Sequence, residues 1–286
     1  MRRKNWKNIV RNVLCTPRPM CYNRPEVISM TLDRPHARQA FAEYTSHYNA
    51  ADPKVKLKID HTYRVAALCE RIANSLSLSP QDVDLAWLCG LLHDVGRFEQ
   101  LRRYGTFIDA KSIDHALMSV TVLFEEGRLR DYIAGTDEDA LLRTAIRLHN
   151  AYRLPEEMDD RTRMFCQILR DADKIDILRV NVETPMEQIY NVSTEALRQS
   201  PVSPAVLDAF YEHHCVLRTL NHYPADNAVG HASFVFELCY PESLRAVAEQ
   251  GWLWKLLDFK TENPDTAKAF AGMKAEMQRW LEEHIK

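Results

Sequence analysis

With 286 residues, 46% of them hydrophobic and 9% aromatic, the chain is long enough for one large or two modest domains and apolar enough to bury a core. Its 37 basic and 40 acidic residues leave a formal charge of -3, which excludes a global field that would draw the whole molecule onto nucleic acid or an acidic membrane. Seven scattered cysteines with no C-x-x-C pair argue against a disulfide framework or a zinc ribbon and for reduced thiols.

The first segment, Met1 to Arg24, carries Arg2, Arg3, Lys4, Lys7, Arg11, Arg18 and Arg24 and no acid. It holds no apolar run long enough for a signal peptide or a membrane span, so cytoplasmic residence is the default expectation. We read residues 1–32 as a basic arm, solvated and interrupted by Pro17, Pro19 and Pro25, able to touch phosphates or a partner.

Helical periodicity dominates from Asp33 onward. One helix is predicted from about Asp60 to Ser77. The next opens at Ser79-Pro80-Gln81-Asp82, with a serine N-cap, a proline at N1 and an acid at N3, and ends at His93-Asp94, closed by Gly96. Lys111 to Glu126 reads as a third helix stopped by Gly127. Thr136-Asp137-Glu138-Asp139 reads as a capping box for a fourth that continues to Asn150. A fifth spans Asp160 to Arg179. After the prolines at 185, 201 and 204, further helices are predicted over Pro204 to Leu220 and Thr266 to Ile285. The short apolar run from Phe234 to Tyr240 is assigned to helix, with strand as its competitor. The fold class is all-α, with Cys69, Cys89 and Cys166 as small buried side chains.

Four histidines lie on the apolar stripes of four predicted helices. His61 shares a face with Val65, Leu68 and Ile72; His93 with Ala86 and Cys89; His115 with Met118, Ser119 and Val122; His149 with Leu142, Ala145 and Ile146. One inward histidine is ordinarily a satisfied core residue. Four of them, with Asp94 beside His93, would each need a separate hydrogen-bond partner, whereas one or two divalent cations satisfy all at once. The fifth helix can supply a closing carboxylate. On its face set by Phe165, Ile168, Leu169 and Ala172, Asp171 points away, and periodicity puts Asp176 nearer the centre than Asp173 without choosing between them.

The set His61, His93-Asp94, His149 and Asp173, with the flanks Leu91-Leu92-His93-Asp94-Val95-Gly96-Arg97 and Ile168-Leu169-Arg170-Asp171-Ala172-Asp173-Lys174, resembles the HD-domain superfamily of metal-dependent phosphohydrolases over roughly residues 55 to 180. The resemblance implies a helical bundle, which we place over residues 33–180; with no clear linker after it, 181–286 is read as a helical extension packed on it. It implies that His61, His93, Asp94 and Asp173 hold a divalent metal, and it selects Asp173 over Asp176. His115 and His149 are similar to the two further histidines of the dinuclear branches, in which the doublet aspartate bridges two ions. The stretch after His149, Asn150-Ala151-Tyr152-Arg153-Leu154-Pro155, lacks the GYP-type signature of cyclic-di-GMP phosphodiesterases.

Nitrogen and oxygen donors without sulfur suit manganese, iron, nickel, cobalt or zinc. The expected function is hydrolysis of a small phosphate ester, a nucleotide or a related compound, by metal-activated water. Asp94, Arg97 and Lys174 are the candidate catalytic residues, the two cations serving the phosphate; Lys111 and Arg147 also neighbour ligands. Lys174 could instead be an exposed surface lysine, and Arg97 could pair with Glu99. Two other classes stay open: a di-iron oxygenase on the same six-ligand set, and a domain that binds a nucleotide without turnover. His213-His214-Cys215, His222 and His231 read as scattered surface histidines, and Trp252, Trp254 and Trp280 as packing residues rather than base-stacking ones.

Overall fold

The computed structural model describes residues 32–285, which form helices and turns with no strand among them. The basic stretch from Met1 to Arg24, with Cys15 and Cys21, lies outside the described residues. No helix in the described part is long and apolar enough to cross a membrane.

The bundle starts with α1 (Arg34–Ser46), whose first turn is capped by Asp33 accepting from the His36 amide at 3.0 Å. Helix α2 (Pro53–Ser75) begins a full seven residues before Asp60, because Asp52 caps it and Pro53 supplies a ready-made first position. Ser79 caps α3 (Pro80–Leu92) as its sequence indicates, accepting from Asp82 N at 3.1 Å. Helices α2, α3 and α7 (Asp160–Glu183) form the centre of the bundle. Val65, Cys69 and Ile72 meet Leu88, Leu92, Phe165 and Leu169 there with no exposed surface to speak of. The α2–α3 crossing is close: a Cβ on Gly90 would lie 2.6 Å from Ala66 Cα.

Gly96 does not close α3. His93 is the last turn's cap, Asp94 is the junction, and α4 (Val95–Tyr104) starts at once, with Gly96 and Arg97 inside its first turn. The glycine is required by a neighbour rather than by a helix end, since α5 (His115–Val120) passes directly against it. Helix α5 is shorter than the periodicity suggests, because Asp114 takes the cap position, accepting from the Ala116 amide at 2.9 Å, and Thr121–Glu125 continues as a π-helical turn before Gly127 (φ 76°). The capping box at Thr136 does not form; α6 (Asp139–Leu148) opens after Glu138 without a side-chain cap.

Residues beyond α7 add α8 (Met186–Tyr190), α9 (Thr194–Arg198), α10 (Pro204–Tyr211), α11 (Pro224–Ala232), α12 (Pro241–Gln250), α13 (Trp252–Leu257) and α14 (Pro264–His284). Helix α10 stops well short of Leu220, where His213 turns left-handed (φ 58°). The apolar run after Phe234 is mostly neither long helix nor strand but the 3-10 turn Ser233–Glu237. Two buried acids tie this region down. Asp226 accepts from Ser203 N, Ser203 Oγ, His222 N and Tyr223 N at 2.7 to 2.9 Å. Asp171 does leave the bundle's inner face, but it is 1% exposed: its Oδ2 accepts from Cys239 N, Tyr240 N and Ser243 Oγ and so caps α12 from another helix. Burial pushes the Asp171 carboxyl up to about 6.

Candidate metal centre

The His93-Asp94 dipeptide sits where α3 hands over to α4, so two adjacent side chains leave the backbone toward one point without a helix wall between them. His61 arrives from α2, His115 from the first turn of α5, His149 from the end of α6 and Asp173 from the middle of α7. All four imidazoles are at most 7% exposed.

Each imidazole is oriented by its Nδ1. His93 Nδ1 donates to Gly90 O at 2.8 Å and His149 Nδ1 to Ile146 O at 2.7 Å, and a carbonyl can only accept. His61 Nδ1 bonds Asp176 Oδ2 and His115 Nδ1 bonds Asp109 Oδ2, both at 2.6 Å. In the neutral rings every Nε2 is therefore a bare lone pair. Yet His61 and His93 bring their Nε2 atoms to 3.3 Å, and His115 and His149 to 3.0 Å. Lone pairs repel at that range unless a cation lies between them.

Asp94 completes both pairs. Its Oδ2 lies 3.6 Å from His61 Nε2 and 3.5 Å from His93 Nε2, and its Oδ1 lies 3.7 Å from both His115 Nε2 and His149 Nε2. Asp173 Oδ1 approaches His61 Nε2 at 3.2 Å and His93 Nε2 at 3.7 Å. Apart from the 3.2 Å contact these gaps are long for hydrogen bonds, and all lie near the roughly 3.4 Å between two donors on one ion with bonds of about 2.1 Å. Among the described residues Asp94 Oδ1 is buried with no hydrogen-bond partner. An orphaned carboxylate oxygen beside two bare nitrogens fits a metal, and the donors form overlapping sets around Asp94.

The charges are arranged to keep the acids ionised. Burial opposes ionisation of Asp94, but Lys58, His93, Arg97 and His115 outweigh it and hold the carboxyl well below its usual range. Asp173 is likewise held down, against its burial, by His61 and the other neighbouring imidazoles. Lys58 was not legible as a site residue, although it lies one helical turn before His61 on the same face; its Nζ is 2.7 Å from Asp94 Oδ2. Asp109, Asp176 and Arg64 were also missed as supports. Arg64 grips Asp176 through Nε at 2.6 Å and the terminal nitrogen at 2.9 Å, behind His61. So Asp176 lies against Nδ1 of His61, and Asp173 against its Nε2.

A cavity of about 370 Å³ opens on Asp94, His115, His149 and Asp173. Lys58, Arg97 and Lys174 also line it. Arg97 does not pair with Glu99, which is taken by Tyr48, Arg102 and Arg103; it bonds Phe107 O, Gln100 Oε1 and Asp109 Oδ1 at 2.7 to 2.9 Å. Lys174 is not a surface lysine: its side chain is 12% exposed and pairs with Glu237 at 3.2 Å. Lys111 does not line the cavity, and Arg147 pairs with Asp114 at 3.1 Å. Of the histidines read as surface residues, His231 is half-buried and stacks on Tyr190, and His213 pairs with Glu276.

Burial, reinforced by neighbouring positive charge, pushes both His115 and His149 down to about 4, and burial lowers His93 as well. The unfolded chain binds protons at these histidines below about 6.5, whereas the native one binds them only near 4 at His115 and His149, and less readily than the unfolded chain at His93. Stability of the chelator-treated protein is therefore expected to fall as the pH drops from about 6.5 to about 4. Asp171 works in the opposite sense over part of that window, and His61, raised by the Asp173 and Asp176 carboxylates against its burial and Lys58, does so only above it. Melting temperatures taken across pH 6.5 to 5 check this; a flat or rising series would contradict it.

Residues 59–178 match the family model of the HD domain, a span that begins just before His61 and ends just after Asp176. No curated protein and no solved structure gives a match to the chain.

Proposed function

We propose, on the match of residues 59–178 to the HD-domain family model, that the protein is a metal-dependent phosphohydrolase that acts on a small phosphate ester, a nucleotide or a close relative, with two divalent ions bound per chain. The observation that carries the reading is the pair of facing imidazole couples on the two oxygens of one buried aspartate, opening on a cavity lined with cations. His61, His93, Asp94 Oδ2 and Asp173 would hold one ion; His115, His149 and Asp94 Oδ1 would hold the other. Metal of this kind supplies hydroxide at neutral pH and polarises a phosphoryl oxygen.

The chain's own groups do the rest. Lys58 neutralises Asp94 and has hydrogens left for a phosphoryl oxygen. Arg97, fixed by Phe107 O and Asp109, presents its guanidinium from the α4 side, and Lys174 its ammonium from α7. Asp109 links the two halves of the apparatus, bonding both Arg97 and His115.

Elemental analysis of protein purified without chelator is expected to give about two ions of manganese, iron, nickel, cobalt or zinc per chain, and about one in His115→Ala. One ion in the wild type, unchanged by His115→Ala, would overturn the dinuclear arrangement. The same donor set favours a second reading, a di-iron oxygenase. Oxygen uptake by the ferrous protein, with no turnover of any phosphate ester, would put that reading first.

A further inference from the structure

We propose that the chain beyond the HD domain selects the leaving group: Leu217 and Phe234, with Tyr152 at the end of the His149 loop, form a seat for a flat ring, so that the substrate is a small phosphomonoester whose alcohol carries an aromatic or heteroaromatic ring. This rests on the phosphohydrolase reading and adds the part of the molecule that recognises what is not phosphate.

The cavity is lined by groups of different chemistry: the histidine and aspartate cluster with Lys58 and Arg97, and an outer group of Tyr152, Leu217 and Phe234 beside Lys174 and Glu237. A phosphate needs only the first. The volume of about 370 Å³ lies near the lower end of the roughly 300 to 1,000 Å³ range of small-molecule sites, so the occupant is one compact molecule.

The outer group is held in place by hydrogen bonds between its segments. Tyr152 OH donates to Cys215 O at 3.1 Å, and Val216 N donates to Ser233 Oγ at 3.0 Å, which ties the loop before Leu217 to the turn that carries Phe234. The Phe234 ring stands edge-to-face with His231, centroids 5.4 Å apart, and Lys174 Nζ is 5.9 Å from its centroid. Leu217 remains 42% exposed and Tyr152 38%, large apolar side chains left uncovered at the mouth of a polar site. A pre-positioned aromatic face flanked by aliphatic surface binds a ring at little cost in ordering. In the reaction the bond between phosphorus and the ring-bearing alcohol breaks, water oxygen bonds phosphorus, and the alcohol leaves with a proton from that water.

The test compares adenosine 5′-monophosphate with ribose 5-phosphate on the metal-loaded full chain, since the two share the reacting group and the sugar and differ in the ring. The ratio of their kcat/KM values is expected to favour the nucleotide by about tenfold or more, to fall toward one in Phe234→Ala combined with Leu217→Ala, and to be kept in Phe234→Trp. A ratio near one in the wild type, or one that the double variant leaves intact, would overturn the inference while the phosphohydrolase reading stands. If neither ester is turned over, calorimetric binding of the same two compounds decides: tighter nucleotide binding lost in the double variant supports the seat, and equal binding removes it.

Discussion

Asp94→Ala is expected to abolish hydrolysis, lowering kcat by at least about 10³-fold, and to strip the protein of most of its metal. Asp94 is 1% exposed and is the residue whose two oxygens face both imidazole couples. Without it each couple keeps two bare nitrogens but loses the shared anion, and Lys58 loses the carboxylate it bonds at 2.7 Å. A buried ammonium left unpaired is costly, so Asp94→Asn, of the same shape, separates loss of fold from loss of chemistry. The expected result is native helical circular dichroism with metal and turnover gone in both variants. Wild-type turnover in either would sink the role assigned to Asp94. Asp109→Ala and Asp176→Asn, which reach the imidazoles only through their Nδ1 atoms, are expected to weaken metal binding by a smaller factor, about 10 to 100.

Gly96→Ala carries the largest expected effect on stability. A Cβ there would lie 2.3 Å from Ser119 N, 2.6 Å from Met118 C and 2.8 Å from His115 O, all backbone atoms of α5 that cannot rotate away. The two helices would have to separate, breaking the bond from Gly96 N to Ser119 Oγ at 2.9 Å. A cost of about 3 kcal/mol is expected, or a fall of roughly 6 to 12 °C in Tm. Because His115 belongs to the displaced turn, occupancy of the second metal position should drop with it. Gly135→Ala, where an added Cβ meets nothing within 4 Å, is the control and should shift Tm little. Equal melting of the two variants would show that the α4–α5 contact gives way easily.

Much of this was legible in one dimension because it is periodic or local. The serine cap before Pro80 and the apolar stripes that turn His61, His93, His115 and His149 inward depend on residues within a few turns of each other. Elements misjudged from sequence failed where a distant partner decided the outcome. Gly96 reads as a stop, but it is a close approach of α5; Thr136 reads as a cap, but the helix opens three residues later. Lys58 gives no signal of its own on an amphipathic helix, since only the fold brings its ammonium to Asp94, thirty-six residues away.

The sequence by itself determined an all-α chain with inward histidines and a His-Asp doublet at a helix terminus, because helical period and capping chemistry are properties of neighbouring residues. Periodicity could not choose between Asp173 and Asp176, which differ by less than one turn on the same helix; the family resemblance pointed to Asp173. The tertiary structure sets Asp173 against the Nε2 edge of His61 and Asp176 against its Nδ1 edge. It also decided that the residues after α7 line the cavity, since their approach depends on long-range bonds such as those of Asp171 to residues 239, 240 and 243, which no local pattern encodes.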